Sequence, residues 1–167
     1  MAVVNEYVNS KLASSATRRR TMGRNVNGQN VVHIVQTFEV AAADDDGSVY
    51  RLFPNVPSSA VLSSLRLACD ALTGATDYDM GLYAPNYGAV ADKDILADGL
   101  NPSAGYSRIL ALDALKDVNI SDCNKTLYEL LGLTVKTAAP FYDICLTANT
   151  VGSGAGTITV FGSYFTP

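Results

Sequence analysis

The sequence predicts a mainly β protein, a β-sandwich of jelly-roll-like form with one short helix and an extended N-terminal arm. Three observations lead there. Short stretches of period-two alternation recur along most of the chain, separated by Gly-, Asp-, Asn- and Pro-rich turns. A single segment, 126–132, carries paired helix start and stop signals. The first 30 residues are poor in apolar side chains and rich in Arg, Asn, Ser and Gly. At 167 residues with 48% hydrophobic and 17% charged side chains, the chain has the composition of one folded domain.

Residues 1–30 read as an arm, disordered alone and ordered on a partner. Val4, Val8 and Leu12 could share a helical face, but the serines and the Asn/Gly run at 25–30 break it. Residues 31–167 form the predicted sandwich domain. In 33–40, Ile34, Phe38 and Val40 alternate with His33, Val35, Thr37 and Glu39, as in a half-buried strand. Residues 43–47 form a polar turn, and 48–53 resume the extended pattern until Pro54 and Pro57. In 64–70, Leu65, Leu67 and Cys69 face one way; in 77–83, Tyr78, Met80 and Leu82 do so.

Residues 84–101 read as a long surface excursion anchored by Ile95 and Leu96, and 107–115 fits strand or helix equally. The helix follows. Thr126 and Glu129 have capping-box spacing, and Gly132 suits the left-handed position past the last turn, which gives about two turns. The stretches 141–147 and 157–165 then read as a C-terminal hairpin. Tyr142, Ile144 and Leu146 line one face of it, and Ile158, Val160 and Tyr164 a matching one.

Charge is unevenly distributed. Lys11, Arg18, Arg19, Arg20 and Arg24 face one acid, Glu6, within residues 1–30, whereas the remainder holds seven basic and fifteen acidic groups. An acidic body makes nucleic acid an unfavoured partner, because phosphate binding needs clustered Lys and Arg. The arginines suit docking on an acidic protein surface, a nucleic-acid arm, or an inert solvated tail. No signal peptide or membrane span is expected, since no sustained apolar run occurs. The N-x-S/T matches at Asn119 and Asn124 then carry no meaning.

Catalytic readings fare poorly. The run 151–156 resembles a phosphate loop, but β-branched Thr157, Ile158, Thr159 and Val160 follow it, so it opens a strand where a phosphate site needs a helix N-terminus. His33 is the single histidine, set on a strand away from any nucleophile signature, and reads as a surface residue. Asp44, Asp45 and Asp46 lack the alternating spacing of a calcium loop and read as a solvated turn. The pairs Asp77/Asp79 and Asp92/Asp94 could form an acid/base couple, yet no Trp is present for sugar stacking. Cys69, Cys123 and Cys145 form no CxxC and read as reduced core or boundary thiols. The expectation is a non-enzyme with no cofactor and no metal.

Two ordered motif sets add a resemblance. The first is Tyr78-Asp79-Met80-Gly81-Leu82-Tyr83, followed by 88–99 with Asp94 and Leu96. The second is Leu127-Tyr128-Glu129-Leu130-Leu131-Gly132, followed by 141–147 with Tyr142 and Asp143 and then 156–160. In this order and spacing the chain, over residues 31–165, resembles the head decoration or cement proteins of tailed bacteriophages. Tyr128 stands where the family pattern has Trp, which keeps an aromatic plug, and the arginine-bearing arm is atypical. The resemblance implies a virion structural protein, made in the host cytoplasm and seated on the outer surface of the head. Its partner would be the major capsid protein, whose neighbouring subunits it would bridge as a homo-oligomer, dimer or trimer. The residues alone leave two alternatives: a self-assembling jelly-roll coat with an RNA-facing arm, and a carbohydrate-binding adhesion module.

Overall fold

The computed structural model describes residues 2–7, 30–134 and 139–166. It is a two-sheet β-sandwich with one short α-helix, as the alternation predicts. The strands are β1 (Asn5–Tyr7), β2 (Asn30–Val40), β3 (Ser48–Pro57), β4 (Val61–Cys69), β5 (Asp77–Tyr83), β6 (Val90–Leu100), β7 (Leu112–Asp113), β8 (Phe141–Thr150) and β9 (Gly156–Thr166), with α1 (Leu127–Leu130) between β7 and β8. One sheet has five strands in the order β1-β3-β8-β5-β6; the other has four, in the order β2-β9-β4-β7. All pairings are antiparallel except β1 with β3. No helix among the described residues is long and apolar enough to cross a membrane.

The core lies between the sheets. Tyr50 and Leu52 of β3, Tyr78, Met80 and Leu82 of β5, and Ile144 and Leu146 of β8 meet Leu65 and Leu67 of β4 and Ile158 and Val160 of β9. Phe38 of β2 reaches across to Tyr50, with ring centroids 4.9 Å apart. Each of these is the inward member of an alternating pair, so period-two patterning and burial agree.

Three sequence expectations change. The segment 141–165 is no hairpin: β8 pairs with β3 and β5, while β9 pairs with β2 and β4 in the opposite sheet. Their matching apolar faces meet across the core, and alternation alone does not say which strands pair. The glycine-rich link between them is an arch packed at the end of the sandwich. Ser153 N–H donates to Thr73 O at 2.9 Å, and a Cβ on Gly152, at φ +81°, would overlap that carbonyl.

The excursion at 84–101 is a turn followed by β6, an edge strand whose pairing with β5 shifts register three times. Those bulges scramble its alternation, although Leu96 is buried and Ile95 packs on the core as anticipated. The helix has a single turn. Its box forms as predicted, with Glu129 Oε2 accepting from Thr126 N–H at 2.8 Å, and Gly132 adopts φ +72°. The next free N–H groups, of Leu127 and Tyr128, donate to Ala60 O and Ser58 O, which pins the helix to the turn joining β3 and β4. Of 107–115, only Leu112 and Asp113 pair as strand.

Leu146 is fully buried at the centre of this core. Leu146→Ala is expected to lower unfolding free energy by about 2–5 kcal/mol, read from the denaturant midpoint at unchanged slope.

Candidate functional site

The outer face of the five-stranded sheet is covered over its central strands β3, β8 and β5. Arg51 points outward from β3 between inward Tyr50 and Leu52, yet it is 0% exposed. Its Nη1 donates to Asp143 Oδ2 on neighbouring β8 at 2.9 Å, and both side chains are fully buried. Nη1 also donates to Ala84 O at 2.9 Å, Nη2 to Gly88 O at 2.8 Å, and Nε to Asn5 Oδ1 at 3.1 Å. The guanidinium carbon lies 5.4–5.6 Å from the ring centroids of Tyr7, Tyr83 and Tyr87. The turn that delivers Tyr87 bends sharply, with Asn86 at φ +57° and Tyr87 at φ +59°.

Asp143 is satisfied from three sides. Besides Arg51, Oδ2 accepts from Tyr7 Oη at 2.7 Å, and Oδ1 accepts from Asn55 N–H at 2.9 Å. Tyr7 Oη in turn accepts from Asn86 N–H at 2.8 Å. Burial, followed by the hydrogen bond to the Asp143 carboxylate, pushes the Tyr7 phenol above its ordinary value. Thus residues 2–7, placed in the arm by sequence, dock on the body through β1 and this polar centre. Arg18, Arg19, Arg20 and Arg24 lie outside the described residues.

A second polar centre sits farther along the same face. Asp79 Oδ2 accepts from Lys93 Nζ at 2.9 Å and Asn149 Nδ2 at 2.6 Å, and Oδ1 accepts from Gly99 N–H at 3.1 Å. Burial pushes the Asp79 carboxyl up, but these hydrogen bonds outweigh it and hold it below the ordinary carboxylate range. Asp77, Asp79 and Asp98 bring carboxylate oxygens within 4.8 Å of one another, a spacing that suits a cation. Lys93 already supplies the positive charge, so the geometry is a closed ion pair. Beside it, a hydrogen bond with Asp92 pushes the Asp94 carboxyl up.

The remaining motif residues are scaffold. Tyr78, Leu82, Leu96, Leu127 and Tyr142 are in the core, and Leu130 and Leu131 pack against its edge. Tyr83 is buried on the outer face, where its hydroxyl pairs with Thr147 Oγ1 at 2.7 Å. Gly81 lies under β6, where a Cβ would overlap the Asp92 and Lys93 backbone. Tyr128 is half-buried and Asp94 partly exposed. Cys145 is buried, Cys69 half-buried and Cys123 exposed, all as free thiols. His33 is exposed as anticipated, but of the turn acids Asp44, Asp45 and Asp46 only Asp46 is exposed. Asp44 and Asp45 are half-buried, and Asp44 Oδ2 accepts from Tyr50 Oη at 2.7 Å.

What faces solvent is apolar in places that sequence reasoning passed over. Ile109 and Leu110 are 87% and 73% exposed on the turn before β7, and Ile120 is 90% exposed. Arg108 anchors that turn over the ring of Phe161, 5.5 Å from its centroid, on the outer face of the four-stranded sheet. A groove of about 490 Å³ runs from Leu62 and Arg66 on β4 to Val118, Ile120 and Lys125. The sequence held no signal for this, since 107–115 fits strand and helix equally and neither pattern marks Ile109 and Leu110 as exposed.

No protein-family model matches the sequence, and no curated protein matches it significantly. Among solved structures, a chain of the capsid of Ralstonia phage GP4 is similar over 100% of this chain and 99% of its own length, with a TM-score of 0.54 at 11% identity. A chain of the cyanophage Pam1 capsid asymmetric unit covers 92% of this chain and 96% of itself, with a TM-score of 0.43 at 16% identity. The second likeness is too slight to build on; the first extends to the overall fold.

Removing one partner of the buried pair strands the other. Asp143→Ala is expected to cost about 3–5 kcal/mol, and Tyr7→Phe about 1 kcal/mol, by chemical denaturation. The Asp79 carboxyl, depressed in the folded state, contributes stability that is present above about pH 4 and lost as pH falls through its lower folded value. An acid melt followed by circular dichroism should therefore lose stability below about pH 4, and Asp79→Asn should flatten that loss.

Proposed function

We propose that this chain is a non-enzymatic virion structural protein that binds the outer surface of a tailed-phage head and cements neighbouring major capsid subunits. The observation that carries the reading is the fold it shares, over its whole length, with a chain from the GP4 capsid. The ordered motif resemblance to head decoration proteins points the same way.

The construction of the body suits the task. Cementing needs a rigid block with adhesive projections and no exposed chemistry. The central strands β3, β8 and β5 are packed on both faces here, and Arg51 with Asp143 and Lys93 with Asp79 form ion pairs on the outer one. The projections are the apolar turn at Ile109 and Leu110 and the rim residue Ile120, which would seat on the shell and exclude water there. Arg18, Arg19, Arg20 and Arg24 would add docking on an acidic capsid surface. Many copies on one shell would reinforce a modest single-site affinity through avidity.

Adding purified protein to undecorated heads should produce stoichiometric binding and raise the temperature at which they rupture. The Ile109→Asp/Leu110→Asp double variant should bind at least about tenfold more weakly while keeping its own melting temperature. Heads that take up no protein, in the presence of correctly folded chain, would remove this reading.

A further inference from the structure

A sandwich with two open sheets has four edges, and three of them here are blunted. β1 spans three residues and β7 two, too short to template another strand. β6 is bulged, carries Lys93 folded across to Asp79, and has Leu96 O capped by Asp117 N–H at 3.3 Å. The fourth edge, β2, differs from all of these. It runs eleven residues in unbroken register with β9, from Asn30 opposite Thr166 to Val40 opposite Gly156. It contains no Pro, no Lys and no inward charge, and among the described residues no strand pairs with its outer side.

We propose that the outer edge of β2 is a self-association surface that takes β2 of a second copy of this chain, antiparallel, with Gln36 opposite Gln36 on a twofold axis. The side chains select the partner and the register. With Gln36 on the axis, opposed positions sum to 72. On the outward face His33 then meets Glu39 of the second copy, an imidazole N–H donor against a carboxylate, and Val35 meets Thr37. On the inward face Val32 meets Val40, Ile34 meets Phe38, and the two Gln36 amides meet each other. An amide carries both donor and acceptor, so it is its own complement.

Neighbouring registers lose this match. Shifting the sum to 70 sets Gln36 against Ile34 and Glu39 against Val31; shifting it to 74 sets Gln36 against Phe38 and Glu39 against Val35. An odd sum would oppose inward side chains to outward ones.

Two observations at the edge independently ask for a partner. Gln36 is 8% exposed, yet its amide makes one long hydrogen bond among the described residues, Nε2 to Thr37 O at 3.4 Å. Val32, Ile34 and Phe38 reach the core but remain partly uncovered, and Val35 is 65% exposed at mid-strand. A second β2 covers all four and joins two four-stranded sheets into one continuous sheet of eight.

Sedimentation velocity on the purified full-length chain tests this without any phage head, so its outcome is separable from that of the cementing role. A monomer–dimer equilibrium is expected. Glu39→Lys should weaken it about tenfold, since both symmetry-related pairs are lost, and the His33→Glu/Glu39→Lys charge swap should restore it to within about threefold. Unchanged thermal melts confirm that each variant is folded. A chain that stays monomeric, forms trimers, or dimerises with no response to Glu39→Lys or no rescue by the charge swap overturns the proposal.

Discussion

A guanidinium sealed on the outer face of a sheet, beneath a turn and the N-terminal strand, is the constraint around which the rest of this protein is arranged. Taking Arg51 and Asp143 out of water costs several kcal/mol per ion, and their mutual attraction offsets this only when the remaining donors and acceptors are also satisfied. That requirement recruits four separate pieces of chain. The N-terminal strand brings Asn5 and Tyr7, the bulged part of β3 brings the Asn55 N–H, β8 brings the carboxylate, and the turn after β5 brings two carbonyls and the Tyr87 ring. Because each group has one workable position, the pair fixes the β3–β8 register where the bulges would otherwise leave it loose.

The same centre explains two local oddities. Asn86 and Tyr87 hold positive φ, an uncommon state for a bulky side chain, because that turn alone aims both the Asn86 N–H at Tyr7 and the Tyr87 ring at Arg51. The start of the chain, which composition reads as an unattached arm, is held to the body because its tyrosine completes the hydrogen bonding of a buried carboxylate.

Much of this architecture could be read from the residues. Alternation located most of β2, β4, β5, β8 and β9, and the Thr126/Glu129 pair located α1. Pairing was not legible, because Tyr142 and Ile158 show the same alternation whether their strands lie side by side or face to face across a core. β6 was hidden because its bulges break the period at Asp92 and Lys93. Arg51 was equally hidden: an outward charge on a strand reads as solvated, and only the fold reveals that a turn 33 residues away covers it. The exposed Ile109 and Leu110 show the converse, apolar residues in a turn whose exposure no pattern encodes.

The strand order also has a consequence for how the chain is made. β8 lies between β3 and β5, and β9 between β2 and β4, so the two strands of the sandwich that come last in chain order are interior strands of the two sheets. Until they emerge from the ribosome, the earlier strands carry apolar faces and open edges with nothing to close them. The partners of β9 on β2 lie more than a hundred residues upstream, so the closing step is a long-range search and slow on that account. Neither sheet can therefore close before β8 and β9 are available. A chain that stops short of β8 has lost the inside of the sandwich rather than its rim.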